Sequence, residues 1–147
     1  MTAPHDESRH EVNKLLSFAL YGAANRLVRM HKPYLEPLGL TFPQYLVMLE
    51  LLGGAPRSVG ELGNKLGMDT GTITPLLKRL EQSGLVTRRR DAQDERRVLV
   101  DLTAAGEALR DGVWAVPDQI KTECQISDER ANELREALDG VGPSGKG

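Results

Sequence analysis

A chain of 147 residues has room for one hydrophobic core and no second independent domain, and its 19 basic and 21 acidic side chains leave it nearly neutral. Its single cysteine, Cys124, excludes an intrachain disulfide and any multi-cysteine metal centre. The histidines at 5, 10 and 31 lack ligand spacing, and no glycine-rich phosphate loop occurs, so neither a metal nor a cofactor is expected. The polar start reads as no secretory leader and no apolar run approaches the roughly 18 residues of a membrane span, which points to a cytoplasmic protein with no membrane contact.

Val12, Leu15, Leu16, Ala19, Leu20, Ala23 and Leu27 recur at helical spacing, predicting one amphipathic helix over about 9–31 that stops before Pro33. Thr41-Phe-Pro-Gln44 reads as a capping box opening a helix through Leu52, ended by Gly53-Gly54. Ser58-Val-Gly-Glu61 reads as a second box, opening a short helix from Val59 to Leu66. After Gly67, Asp69 caps another helix from Thr70 to Ser83, closed by a Schellman-type Gly84-Leu85; two helices so joined have helix-turn-helix spacing. Val86-Thr-Arg88 and Val98-Leu-Val100 are β-prone around a turn-like 91–95, predicting a hairpin. Thr103 starts a helix running past Leu109 and Val113 toward Ile120 and perturbed at Pro117. Ser127 caps a last helix, Asp128 to Leu138, before a frayed tail at 141–147. The fold class expected is mainly α with a small β-hairpin wing: a winged helix-turn-helix over about 35–102, with extra helices at about 9–31 and 103–140, all in one domain.

Positive charge is local. Residues 78–97 hold seven basic and four acidic groups, whereas 98–147 hold five and ten. Thr70, Thr72 and Thr74 project hydroxyls and methyls from the first turns of the second helix of the pair, with Lys78 and Arg79 further along its exposed side. A helix that reads base edges needs such residues, although threonines are also good helix starts. The hairpin weighs more. Arg88, Arg89, Arg90, Arg96 and Arg97 fall within ten positions, and Asp94 stands where it can brace Arg96 across the tip. Arginine suits phosphate forks and narrow minor grooves. A charge run alone is usually a solvated face, but one directly after a helix-turn-helix points to double-stranded DNA.

The strings "FALY", "LTFPQYLVMLELL" and "VGELGNKLGMDTGTITPLLKRLEQSGLVTRRRDAQDERRVLVDLTAAGEAL" resemble the MarR family of dimeric winged-helix regulators, nearest its organic-hydroperoxide-responsive OhrR-like branch, over about residues 12–120. The resemblance implies a homodimeric repressor on a pseudo-palindromic operator. It makes Thr70, Thr72, Thr74, Lys78 and Arg79 the DNA-facing residues of the recognition helix, and it sends Arg96, supported by Asp94, into the minor groove. The terminal helices of two subunits would interlock, leaving little apolar surface unpaired. In that branch "LCFALY" carries the reactive cysteine; here the position is Ser17, which cannot form a thiolate or a sulfenic acid. Tyr21 keeps a tyrosine of the sensor, while His31 and Phe42 stand where the branch usually has tyrosines. These departures favour natural divergence over a single engineered replacement. Ser17 and His31 lie about 21 Å apart on a straight helix and so could meet only across a dimer.

Plainer readings stand beside these: Ser17 as a hydroxyl bonded to the carbonyl four residues back, and His31 as a residue favoured by a helix C-terminus. Cys124 lies near the place of a second, resolving cysteine in some branch members, but without a partner it reads as a bystander thiol. An inducer such as a small phenolic or aromatic acid would sit near Phe18, Tyr21, Phe42 and Tyr45. A winged helix used only for protein contacts has no need of five hairpin arginines, and an enzyme would need a nucleophile with a companion base, which the chain lacks.

Overall fold

The computed structural model describes residues 11–142. The expected helix start at 9–10 and the tail from 143 onward lie outside the described residues. A 3₁₀ turn at Val12–Lys14 precedes α1 (Leu16–Leu35), and a second at Glu36–Leu38 leads to α2 (Phe42–Gly53). The chain continues through β1 (Arg57–Ser58), α3 (Val59–Leu66), α4 (Thr70–Gln82), β2 (Val86–Arg90), β3 (Val98–Leu102), α5 (Ala104–Glu107), α6 (Arg110–Cys124) and α7 (Asp128–Asp139).

Local chemistry explains most boundaries. The Thr41–Gln44 capping box forms in both directions. Asp69 accepts from the Thr72 amide at 2.9 Å and Ser127 from the Arg130 amide at 3.1 Å. α4 closes in a Schellman motif, with Leu85 N–H on the Leu80 carbonyl, Gly84 N–H on that of Glu81, and Gly84 at φ 79°.

Four expectations are corrected. α1 begins at Leu16 and runs through Pro33, because a proline near a helix end forfeits one hydrogen bond while the turn beyond it buries Leu35 in the core. At Ser58 only half of the box forms: its hydroxyl accepts from Glu61 N–H, but the Glu61 carboxylate turns to Arg97. Ser58 is itself a strand residue opposite Leu99, so the hairpin gains a third strand, in the antiparallel order β1-β3-β2. The helix capped by Thr103 breaks at Ala108–Leu109, and α6 then runs through Pro117 to Cys124. Gly106, in that first short helix, is pressed onto the Leu85 carbonyl so closely that a Cβ would overlap it.

α2 is the hub, touching α1, α3, α4, α6 and β3. Val47, Met48 and Leu51 meet Leu62 of α3, Ile73, Leu77 and Leu80 of α4, Val86 and Val100 of the sheet, and Val113 and Val116 of α6 in one buried cluster. Each such side chain contributes about 1.5–3 kcal/mol by leaving water. Arg110 fastens α6 to the end of α2 by donating to the Leu52 carbonyl at 3.1 Å, and its guanidinium stacks 4.7 Å from the Trp114 ring centre. The terminal elements are different: Leu16, Phe18, Tyr21, Leu27, Leu134 and Leu138 are exposed, and α7 buries no residue.

Candidate nucleic-acid interface

The recognition helix is held by its inner face and free on its outer one. Ile73, Leu76, Leu77 and Leu80 are buried, whereas Thr70, Thr72, Thr74, Lys78 and Arg79 are exposed. Lys78 and Arg79 form no ion pair among the described residues. Pro75 lies inside the helix, and Gly71 four residues earlier removes the side chain from the turn it faces. The approach of α3 to the turn before α4 depends on Gly63, where a Cβ would stand 2.8 Å from the Met68 carbonyl oxygen.

The five hairpin arginines do not share one environment. Arg88 is half-buried at the wing root, where Glu81 of α4 takes its Nε at 3.1 Å, a terminal nitrogen at 3.0 Å and its backbone N–H at 3.1 Å. These bonds hold the Glu81 carboxyl below its ordinary pKa. Arg89 faces Asp101 at 3.5 Å, and Arg90 donates to the Glu95 carbonyl at 2.8 Å, with no carboxylate partner among the described residues. Arg97 reaches Glu61 of α3 at 2.6 Å and Asp91 at 3.5 Å. Arg96 projects from the tip with its side chain 92 % exposed, while Asp94 Oδ1 accepts from its backbone N–H at 3.1 Å and its Nε at 3.2 Å. Thr74 of α4 and Arg88, Arg96 and Arg97 of the wing border one cleft of about 370 Å³.

Read from sequence, Glu61 belongs only to a capping box, and Glu81 and Asp91 have no part in the site. Pairing across 36 residues, as between Glu61 and Arg97, cannot be read from spacing.

The residues grouped as a sensor divide in two. His31, Phe42 and Tyr45 meet, with ring centres 4.8 Å apart for His31–Phe42, 5.7 Å for His31–Tyr45 and 6.0 Å for Phe42–Tyr45. The His31 Nδ1–H donates to the Leu27 carbonyl at 2.7 Å, and burial raises the Tyr45 phenol pKa. Ser17, Phe18 and Tyr21 stand exposed at the other end of α1. Ser17 occupies the first turn of α1, the residue four positions back belongs to the separate 3₁₀ turn at Val12–Lys14, and the hydroxyl forms no hydrogen bond to it. Cys124 is half-buried at the end of α6, its Sγ 4.0 Å from Met30 Sδ. Beside it the Tyr34 hydroxyl donates to Glu123 at 2.9 Å, which raises the Tyr34 pKa.

The profile of the transcriptional regulator SarA/Rot family matches residues 29–113, which include α2, the helix-turn-helix and the whole wing. The organic hydroperoxide resistance transcriptional regulator of Bacillus subtilis is 40% identical over 123 residues, 84% of either chain. Among solved structures, reduced AbfR bound to DNA superposes with a TM-score of 0.74 at 29% identity, covering 93% of this chain and 99% of that one. A MarR variant from E. coli in complex with operator DNA gives 0.77 at 27% identity, covering 87% and 94%. The chain belongs to the SarA/Rot family of transcriptional regulators, winged-helix proteins of the MarR type and not enzymes.

Proposed function

We propose that the chain is a homodimeric, sequence-specific DNA-binding repressor that lays α4 in the major groove and sets the wing tip against the adjoining minor groove. The observation that carries this reading is the common cleft of Thr74 and Arg96: a helix side chain suited to base edges and an almost fully exposed, braced arginine open to one side of the molecule. Unpaired Lys78 and Arg79 lie on the outer face of the same helix, where phosphates would run. The DNA-bound relatives share this fold, and in this reading a DNA-binding role supports a cytoplasmic location.

A second copy is the natural cover for the terminal apolar side chains, and a two-fold dimer reads a pseudo-palindrome with half-sites about 10 base pairs, or a multiple, apart. Thiol-based peroxide sensing is lost at Ser17 in this reading, since the hydroxyl cannot enter the oxidation ladder. Release by a small phenolic or aromatic acid is the alternative for induction. An apolar cleft of about 340 Å³ beside Leu35, Leu40 and Phe42, with Arg29 and Lys32 on its lining, favours it. A purely protein-binding winged helix is disfavoured by the exposed arginine tip.

The test is selection of duplexes from a random pool by the purified chain, followed by titration at several salt concentrations. A pseudo-palindromic consensus and a log–log salt slope of about −0.9 per neutralised phosphate are expected. Failure to enrich any sequence, or a monomer at micromolar concentration, would overturn the reading.

A further inference from the structure

The wing is fastened to the helix-turn-helix at three levels. Strand β1, immediately before α3, pairs with β3; Glu81 holds Arg88 at the root; and Glu61 holds Arg97 where the tip rejoins β3. The third level differs in kind. Arg97 is gripped from two sides, by Glu61 on α3 at 2.6 Å and by Asp91 within the tip at 3.5 Å, and both its neighbours in sequence belong to the wing. Asp91 closes the tip on itself, its amide donating to the Arg97 carbonyl at 2.9 Å and its side chain accepting from the Gln93 amide at 2.9 Å. Among the described residues, only Glu61 joins that closed tip to the body by a side-chain ion pair. Arg96, adjacent to Arg97, takes its direction from the same short segment.

We propose that Glu61 is a positioning residue for DNA recognition: through Arg97 it sets the posture of the wing tip, and hence of Arg96, relative to α4. The inference rests on the DNA-binding reading above. Its chemistry runs against simple electrostatics. A carboxylate near a surface that meets phosphates repels them, so if Glu61 were a bystander its neutralisation would tighten binding. As a strut it does the opposite, because an unanchored tip must be ordered at the moment of binding. The ties also explain why Glu61 leaves its capping box half-made. Ser58, already in a strand, retains its hydroxyl cap on the helix, and the carboxylate is free to serve the wing.

The experiment uses a short duplex selected by the wild-type chain, titrated at one fixed salt concentration against wild type, Glu61→Gln, Arg97→Gln and the double variant, with hydroxyl-radical protection of each complex. Glu61→Gln is expected to bind about tenfold more weakly. It should lose protection at the minor-groove flanks and retain it where α4 sits, with an unchanged melting temperature. The double variant should bind no more weakly than Arg97→Gln alone, since two ends of one strut cannot be lost twice. Glu61→Asp, which keeps the charge at shorter reach, should fall between wild type and Glu61→Gln. Unchanged or tighter binding by Glu61→Gln with intact flanking protection would overturn the inference while leaving the DNA-binding reading standing. A wild-type chain that selects no duplex would overturn both.

Discussion

One carboxylate joins the recognition helix to the wing: Glu81, in the last turn of α4, accepts the guanidinium and the backbone N–H of Arg88, the third residue of β2. A helix and a strand that follow each other through a Schellman turn are thereby locked at a fixed angle. The charge of Arg88 is committed to this internal task, and Arg90 and Arg96 are left to carry the wing's outward charge.

Because these bonds lower the Glu81 pKa from its ordinary 4.5, the stability they contribute is complete above pH 4.5 and is lost as pH falls through the lower, folded-state value. Glu81→Gln should therefore melt below wild type at neutral pH, with the gap narrowing and closing as the solution is acidified past the folded-state pKa. Thermal melts across that range check it. A gap of constant size would show that Glu81 acts through packing rather than charge.

Two glycines of α3 should respond in opposite directions to alanine. Gly63→Ala puts a Cβ 2.8 Å from the Met68 carbonyl, so the turn must shift, and a loss of about 1–3 kcal/mol is expected. Gly60→Ala meets nothing nearer than the Ser58 hydroxyl at 3.9 Å and should stabilise the helix by about 0.5–1 kcal/mol. Denaturant titration of both variants decides whether the close approach, rather than glycine flexibility, is what position 63 requires.

Arg96→Ala should weaken binding to a selected duplex by about 1–3 kcal/mol, mostly at the flanking A·T positions. With a side chain 92 % exposed, the variant should melt with wild type. Asp94→Ala should cost less binding, since it removes the brace and leaves the charge. Equal affinity of Arg96→Ala and wild type at fixed salt would make the tip a solvated loop.

DNA binding by the chain should survive organic hydroperoxide, because Ser17 has no oxidisable sulfur and Cys124 is half-buried against Met30. Ser17→Cys should create an exposed thiol that oxidises at least slowly. Full release from DNA should need tyrosines at His31 and Phe42 as well, to favour the thiolate. Binding titrations with and without hydroperoxide, on wild type, Ser17→Cys and Cys124→Ser, test this. Release of wild type that vanishes in Cys124→Ser would move the sensor to the other end of the chain.

Local signals were legible wherever one short segment decides its own geometry. Thr41, Asp69, Ser127 and Gly84 mark helix ends because their hydrogen bonds span only a few residues. β1 was not legible: two residues carry no alternation, and Arg57–Ser58 become a strand only because Leu99 and Val100 lie opposite. The break after Glu107 was missed for a similar reason, since Gly106 meets a carbonyl from 21 positions earlier. In the candidate interface the residue types could be read, but not their obligations. Arg88, Arg96 and Arg97 look alike in the string, and only tertiary packing ties the first to Glu81, leaves the second exposed at the tip and pairs the third with Glu61.

α7 holds twelve residues and buries none of them, and a helix of that length is marginal in water by itself. If a second chain supplies its missing support, folding of the termini and pairing of the subunits become one event. Below the dissociation constant of the dimer, operator occupancy would then rise with the square of chain concentration. A cell that halves the amount of this protein would lose about three quarters of the occupied operator in that regime, so dilution alone can act as an inducer.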